Sequence, residues 1–338
     1  MPASFTTGQV TVHRGDAAKL YDEWPSPDCI IADGPYGLGK YPGEPANVGE
    51  LAQWYAPHAA AWARRARPST TLWFWNSEVG WASVHHVLDL HGWQYEECCV
   101  WDKGIAHVAG NCNSRTIRGV PVVTEVAVRY TRKVTLPTEG GQRLSLQAWV
   151  REEWLRSGLP MRLANEACGV KNAATRKYLT SCHLWYFPPP EAIVAMAKYC
   201  EQHGKPSKRP YFSLDGERPV SAQAWERLRS KWHHAHGVTN VWREPPVHGA
   251  ERIKLDGAAY LHANQKPLAL MERQIAACTD PGDVVWEPFG GLCSASVAAL
   301  RSDRIAVAAE VNDEYYHASV ARLAREAATL RPALANAG

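Results

Sequence analysis

Long apolar runs are what this chain of 338 residues most plainly lacks. No stretch approaches the ~20 apolar residues that cross a bilayer. The first twenty residues carry His13, Arg14, Asp16 and Lys19, where an export signal would be apolar. Neither a membrane partner nor secretion is expected, and the reading is a cytoplasmic protein. The nine cysteines contain no CxxC spacing, and only Cys98 and Cys99 are adjacent. That excludes a disulfide framework and points to reduced thiols. No GxxxxGK[ST] occurs, which excludes a P-loop nucleotide site. His233, His234 and His236, and Cys200 with His203, form no four-ligand set at finger-like spacing, so they read as surface residues and no metal is expected. Tryptophan is abundant instead, at fifteen residues, many of which should be structural.

Charge is modest overall and uneven along the chain. The formal net charge is +3, yet residues 135–255 hold 18 Lys and Arg against 11 Asp and Glu. The remainder holds 19 against 23. A basic middle between acidic flanks suits a polyanion, with a solvated basic surface as the alternative. Arg176, Lys177, Lys205, Lys208, Arg209 and Lys231 lie among Tyr178, Tyr211, Trp225 and Trp232, a mixture suited to nucleic-acid phosphates.

The first ~130 residues alternate short apolar runs with helical patterns. Strands are expected at 10–14, 28–32, 70–75, 95–101 and 124–130, with helices at 48–66 and 79–91. Residues 135–255 break this rhythm with Gly140-Gly141, Pro188-Pro189-Pro190, Lys205-Pro206 and Pro245-Pro246. Helices are expected there at 191–201 and 222–231, and 161–180 reads as a loose helix-turn-helix or a generic helix pair. The alternation returns with a helix at 266–279, a strand at 283–286, a helix at 294–300, a strand at 305–309 and a helix at 314–330. The expectation is a doubly wound, mostly parallel α/β sheet built from both ends of the chain, with a mainly helical insert. Residues 1–134 and 257–338 form the sheet domain and 135–256 the insert. Ligands of such sheets bind at the carboxyl ends of the strands, where Asp16, Asp33 and Ser77 fall.

Two loops at that edge carry chemistry. Residues 287–294, Glu287-Pro288-Phe289-Gly290-Gly291-Leu292-Cys293-Ser294, follow a strand and open a helix. Gly290 and Gly291 let the backbone approach a ligand, and the helix start offers free N–H groups. Glu310, at the end of the next strand, suits ribose hydroxyls. NAD competes with S-adenosylmethionine (SAM) on this basis, although the motif is not GxGxxG. The acidic Glu287 can meet the cationic end of SAM, where it would repel a pyrophosphate. The second loop, Asp33-Gly34-Pro35-Tyr36, follows a buried strand. By composition it could be a simple turn.

Together these segments resemble the amino-methyltransferases of restriction-modification systems. Lys266-Pro267-Leu268, residues 281–289, Glu310 and Tyr315 are similar to that family's SAM-binding half. Asp33-Gly34-Pro35-Tyr36 resembles its Asp/Asn/Ser-Pro-Pro-Tyr motif, with Gly34 in place of the first Pro. The family's cofactor motif reads Asp-Pro-Phe-x-Gly-x-Gly-Thr, so Glu287, Cys293 and Ser294 are departures. The resemblance covers roughly residues 1–134 and 260–325, in the motif order of the β class.

It implies a Rossmann-like SAM-dependent methyltransferase fold and a recognition region in the insert. The cofactor is SAM, bound by Asp16, Lys266, Glu287, Pro288, Phe289, Gly290, Gly291, Ser294 and Glu310. Asp16 could equally be a helix cap. The catalytic residues are Asp33, Gly34, Pro35 and Tyr36. The Asp33 carboxylate and Gly34 carbonyl accept the N–H groups of a base amine, Pro35 stiffens the loop, and Tyr36 stacks on a base extruded from double-stranded DNA. Trp101-Asp102-Lys103 resembles the region near that base, though Trp101 could be core. The absence of Pro-Cys excludes cytosine-C5 chemistry. Asp33 favours adenine N6 as the acceptor, with cytosine N4 as the alternative. A non-catalytic DNA-binding protein with a degenerate methyltransferase body, and RNA or protein methylation, are the readings of other classes. A homodimer and a cognate restriction nuclease are further expectations of the family.

Overall fold

Runs of buried β-branched and aromatic residues alternate with amphipathic helices, and the backbone follows that alternation. The computed structural model describes residues 4–39, 43–105, 108, 118–254, 260–262 and 264–335. The chain divides into two compact units, Met1–Arg132 with Ser230–Gly338, and Lys133–Arg229.

In chain order the first unit begins with β1 (Ser4–Thr7), β2 (Val10–Arg14), β3 (Cys29–Ala32), α1 (Leu51–Arg65), β4 (Thr71–Asn76), α2 (Glu78–Leu90), β5 (Trp93–Asp102) and β6 (Thr124–Arg132). The second unit holds β7 (Thr135–Pro137), β8 (Arg143–Ser145), α3 (Leu146–Arg156), α4 (Leu163–Ala167), α5 (Pro190–His203) and α6 (Ala222–Glu226). The first unit resumes with β9 (Val241–Arg243), α7 (Leu268–Cys278), β10 (Val284–Glu287), α8 (Ser294–Arg301), β11 (Ile305–Glu310) and α9 (Asp313–Ala335).

The first unit is a nine-stranded sheet in the order β1-β2-β11-β10-β3-β4-β6-β5-β9. Strands β2, β11, β10, β3 and β4 run parallel, and β6 is antiparallel to both neighbours. Period-two alternation sorts the strand side chains onto two cores. Ile31, Trp73, Trp75 and Val285 join Leu270, Met271 and Ile275 of α7 and Val297 of α8 on one face. Ile30, Ala32, Leu72, Phe74 and Trp286 join Tyr55, Ala59 and Trp62 of α1 and Leu88 of α2 on the other. Both faces are thus covered, which explains why β3, β4 and β10 are buried at every residue.

The second unit packs α3 and α5 around Trp149, Trp154, Ile193, Met196, Phe212 and Trp225. Ser145 Oγ accepts from Ala148 N at 3.3 Å to start α3, and Pro190 opens α5 at a position where a missing N–H costs nothing. Glu153 is buried, and its Oε2 accepts from Arg156 Nη2 and from Phe212 N, each at 2.7 Å.

Several expectations differ from the structure. The helix expected at 222–231 stops at Glu226. Beyond it the chain is pulled across by Lys231, whose Nζ lies 2.7 Å from Asp280 and 2.6 Å from Asp283. The expected helix pair at 161–180 is the five-residue α4 and a π-helical turn, Ala174–Tyr178, too short for a groove-reading helix pair. Residues 230–254 belong to the sheet unit, not to the insert: β9 pairs in parallel with β5, and Trp242 packs 5.8 Å from Trp73. Three residues are too few to show a period, and the prolines after them read as loop. The expected boundary at 257 lies outside the described residues. No helix among the described residues is long and apolar enough to cross a membrane.

Glu153→Ala strips Arg156 of its buried partner and orphans the Phe212 amide. A cost of about 3 kcal/mol is expected, falling on the second unit alone. Urea unfolding should show the second unit melting early while tryptophan burial in the sheet unit persists.

Candidate active site

The sheet order reverses between β3 and β10, which pair in parallel through Cys29–Val285 and Ile30–Trp286. At such a switch point the loops after the two strands diverge to opposite faces and leave a crevice between them. Here those loops are Asp33-Gly34-Pro35-Tyr36 and Glu287-Pro288-Phe289-Gly290-Gly291. They line one cavity of ≈ 840 Å³ together with Asp16, Lys266, Ser294 and Glu310. Residues 254 positions apart in sequence, Asp33 and Glu287, thus share one site.

Gly34 is dictated by close packing. A Cβ at this position would lie 2.5 Å from Tyr55 Oη and 2.6 Å from Phe289 Cδ2. The loop is stiffened from outside: Tyr55 Oη and Asn76 Nδ2 both donate to the Pro35 carbonyl, at 3.1 and 3.0 Å. Phe289 is itself boxed by α1, with ring centroids 5.5 Å from Trp54, 5.1 Å from His58 and 6.0 Å from Tyr55. Helix α1 therefore clamps both loops at once.

A buried ionic cluster sits beneath Asp33. Lys266 Nζ lies 2.9 Å from Asp33 Oδ1, 3.2 Å from Glu125 Oε2 and 3.2 Å from Tyr36 Oη. Tyr36 Oη donates to Glu125 Oε2 at 2.9 Å, and Lys103 pairs with Glu125 Oε1. Burial pushes the Asp33 carboxyl up from the ordinary value, and Lys266 only partly offsets it. Burial alone would raise Glu125 too, but Lys266 and Lys103 outweigh it and hold that carboxyl at about 2. Glu125 and Tyr55 were not singled out from the sequence, and Lys103 was named only within Trp101-Asp102-Lys103. A Glu within a β-rich strand carries no local signal of a buried partner, whereas Glu125 at the start of antiparallel β6 falls at the same edge as the ends of β3 and β4.

On the cofactor side three of the expected residues, Glu287, Ser294 and Lys266, line the cavity and also have partners within the chain. Glu287 points at helix α8, not only into the cavity: Oε1 accepts from Ala295 N at 3.0 Å, and Oε2 from Ser296 N at 2.8 Å and Ser296 Oγ at 2.6 Å. Burial nevertheless pushes its carboxyl up to about 7. Ser294 Oγ donates to the Lys266 carbonyl at 3.0 Å and tethers α8 to the start of α7. Lys266, expected at the cofactor, lines the cavity and has its ammonium in the Asp33 cluster. Glu310 accepts from Gly291 N at 2.6 Å and Asn312 N at 2.7 Å, and Asp16 caps the turn at Ala18 N at 2.9 Å. Cys293 adopts φ 55°, the left-handed region that explains a glycine in the family motif.

The cavity is lined by Asp16, Asp33, Glu44, Glu287, Glu310, Asp313 and Glu314, and Lys266 is the sole Lys or Arg among the described lining residues. Burial pushes His58 and His262 down to about 4, so both are neutral at pH 7. A net acidic lining fits a ligand carrying a sulfonium and an ammonium and disfavours a pyrophosphate. This donor set suits SAM and weighs against NAD.

Of the candidate nucleic-acid residues, Arg176, Lys177, Lys205 and Lys208 are exposed on the second unit. Arg209 is half-buried and donates to the carbonyls of Pro137 and Ser213, so its guanidinium is committed to the unit's own backbone. Lys231 lies in the first unit and is held by Asp280 and Asp283. Trp101 is core, with Nε1 donating to the Glu244 carbonyl at 2.6 Å.

A family model described as DNA methylase, N6_N4_Mtase, matches residues 27–321. The type II methyltransferase M.ScaI of Streptomyces caespitosus is 37% identical over 93 residues, which cover 27% of this chain and 30% of that protein. The DNA adenine methyltransferase YhdJ of Escherichia coli is 38% identical over 84 residues, 25% of this chain and 27% of that protein. The matched stretches thus span less than a third of either relative's length. The PvuII DNA methyltransferase (cytosine-N4-specific) has a likeness of fold, with a TM-score of 0.51 at 15% identity over 93% of this chain and 86% of that one.

Gly34→Ala is expected to cost about 1–3 kcal/mol through overpacking against Tyr55 and Phe289. Gly34→Pro, which matches the family's residue, should be no better tolerated; thermal melts of both variants check this. For Glu287, the raised carboxyl means that the folded state favours the protonated form. Its contribution is fully present below about 4.5 and lost as pH rises through about 7. The loss is about 3 kcal/mol over that window. Comparing urea unfolding of the wild type with Glu287→Gln between pH 5 and pH 8 should show a steeper loss of stability in the wild type than in the variant.

Proposed function

The chain belongs to the DNA methylase family, and from that premise we propose that it methylates the exocyclic amino group of a base turned out of duplex DNA, adenine N6 in preference to cytosine N4. The observation that carries this reading is the division of labour at Asp33. Its Oδ1 is engaged by Lys266 and Tyr36, while Oδ2 receives no hydrogen bond among the described residues and belongs to a side chain lining the acidic cavity.

When bound, SAM supplies an electrophilic sulfonium methyl, which the amine takes to leave S-adenosylhomocysteine. The chain's part is to make a poor nucleophile competent. An exocyclic amine delocalises its lone pair into the ring. Asp33 Oδ2 and the Gly34 carbonyl accept its two N–H groups and favour a pyramidal nitrogen with its lone pair free. Neither acceptor needs to reorganise, because Lys266 holds the carboxylate and Tyr55 with Asn76 holds the next carbonyl. Asp33 Oδ2 is also placed to take the proton that the methylated nitrogen sheds. The Tyr36 ring, fixed through its hydroxyl by Glu125, offers the stacking face for the base.

The preference for adenine rests on the Asp at position 33 and agrees with the name of the relative YhdJ. The second unit, with 15 Lys and Arg against 9 Asp and Glu, supplies target recognition, and exposed Arg176, Lys177, Lys205 and Lys208 are its phosphate contacts. A homodimer and a partner nuclease rest on the family resemblance alone.

Duplex DNA incubated with SAM and the protein, digested to nucleosides and resolved by mass spectrometry, should contain N6-methyladenine. Finding N4-methylcytosine alone would overturn the choice of base, and finding no methylated base would overturn the activity. Asp33→Ala should lower transfer by at least the order of 10²–10³-fold that one lost transition-state contact costs. Calorimetry should find its SAM affinity nearly unchanged; a large loss of SAM binding would contradict the role given to Asp33.

A further inference from the structure

Lys266 is 3% exposed at its side chain, and a buried ammonium is costly unless every proton finds an acceptor. Here each does. Asp33 Oδ1 at 2.9 Å, Glu125 Oε2 at 3.2 Å and Tyr36 Oη at 3.2 Å account for its three N–H groups. No donor is left over for a cofactor. The three acceptors come from the β3 loop and from β6, while Lys266 stands just before α7. The ammonium therefore ties three separate elements together directly under the reacting edge.

The charges around Asp33 oppose one another. Lys266 favours its anion, and Glu125 disfavours it. The hydroxyls of Tyr36, from the same loop, and Tyr55, from α1, face it as neutral groups whose burial pushes them far above the ordinary phenol range. Lys103, after β5, reaches Asp33 only through Glu125. Because Glu125 is itself held by two lysines, it stays charged across the neutral range and acts as a constant counterweight.

We propose that Lys266 is a positioning residue that keeps Asp33 anionic with Oδ2 turned to the cavity, and that Glu125 sets how far this bias goes while locking Tyr36. The inference rests on the reading of Asp33 as acceptor for the base amine, yet the ionic arrangement can be tested without any reaction. Lys266 donates along Oδ1 and so fixes the carboxylate plane. Losing that contact frees the side chain to rotate and favours the proton that burial already invites. Glu125 pulls the other way, so removing its charge makes the Asp33 anion easier to hold.

Carboxyl ¹³C NMR on protein labelled at aspartate follows the Asp33 titration directly, with the signal assigned by its loss in Asp33→Asn. Lys266→Met should move the Asp33 midpoint upward by about 1–3 pH units, the effect of removing one close opposite charge. Glu125→Gln should move it downward, and Lys266→Arg should keep it near the wild-type position. The acid limb of kcat/KM should follow in the same directions. A purely structural role would lower the rate in both variants with no displacement of opposite sign. A midpoint that stays put or falls in Lys266→Met, or one that fails to fall in Glu125→Gln, overturns the inference. If Lys266→Met does not fold by circular dichroism, the Glu125→Gln titration alone decides it. A wild-type chain that shows these shifts but methylates no DNA would sink the proposed function and leave the ionic arrangement standing.

Discussion

The parallel pairing of β3 with β10 is the constraint on which the rest of the site depends. Only two residue pairs, Cys29–Val285 and Ile30–Trp286, make the ladder, and together with the longer β2–β11 pairing they bring the two ends of the chain into one sheet. Everything at the cavity follows from that juncture. The Asp33 loop and the Glu287 loop leave neighbouring strands in opposite directions, and the crevice between them is the place where a ligand can touch both. Trp286, fully buried under Tyr21 and Trp24 with centroids 5.4 and 5.1 Å away, anchors the strand on the α1 side of the sheet. Tryptophan is common in this chain because the layers over such a sheet must be filled, and nine of the twelve largest fully buried side chains are tryptophans.

Steric closeness and buried charge then share the work. Gly34 lets the Asp33 loop rest against Phe289 and Tyr55, so rigidity that the family motif draws from a proline comes here from neighbours in other elements. The charges are arranged in the same way. Asp33, Glu125, Lys266 and Lys103 balance as two anions and two cations, which makes their burial tolerable and leaves Asp33 Oδ2 without a hydrogen bond among the described residues. On the cofactor side the balance is deliberately broken. The lining is acidic, its histidines are neutral, and the carboxylates of Glu287 and Glu310 also order the start of α8 and the turn at Gly291. A cationic cofactor would complete that charge balance.

What the sequence by itself determined was the class of fold and the two loops that matter. Alternating apolar runs and helical periods are local properties, as are an acidic residue at a strand end and glycines at a helix start. Asp33, Tyr36, Glu287, Gly290, Gly291 and Glu310 were therefore legible without coordinates, and all of them line one cavity. Short elements escaped for the converse reason: β9 has three residues and shows no period, although it closes the sheet edge beside β5. Only the tertiary structure decided which charges meet. Lys266 looked like a cofactor residue from its place before α7, Lys231 like a phosphate contact from its basic surroundings, and Glu125 like nothing at all. Their roles depend on distances of about 3 Å between segments tens to hundreds of residues apart. The energy of a buried ion is set by those distances and by the loss of water, and neither is written in a local pattern.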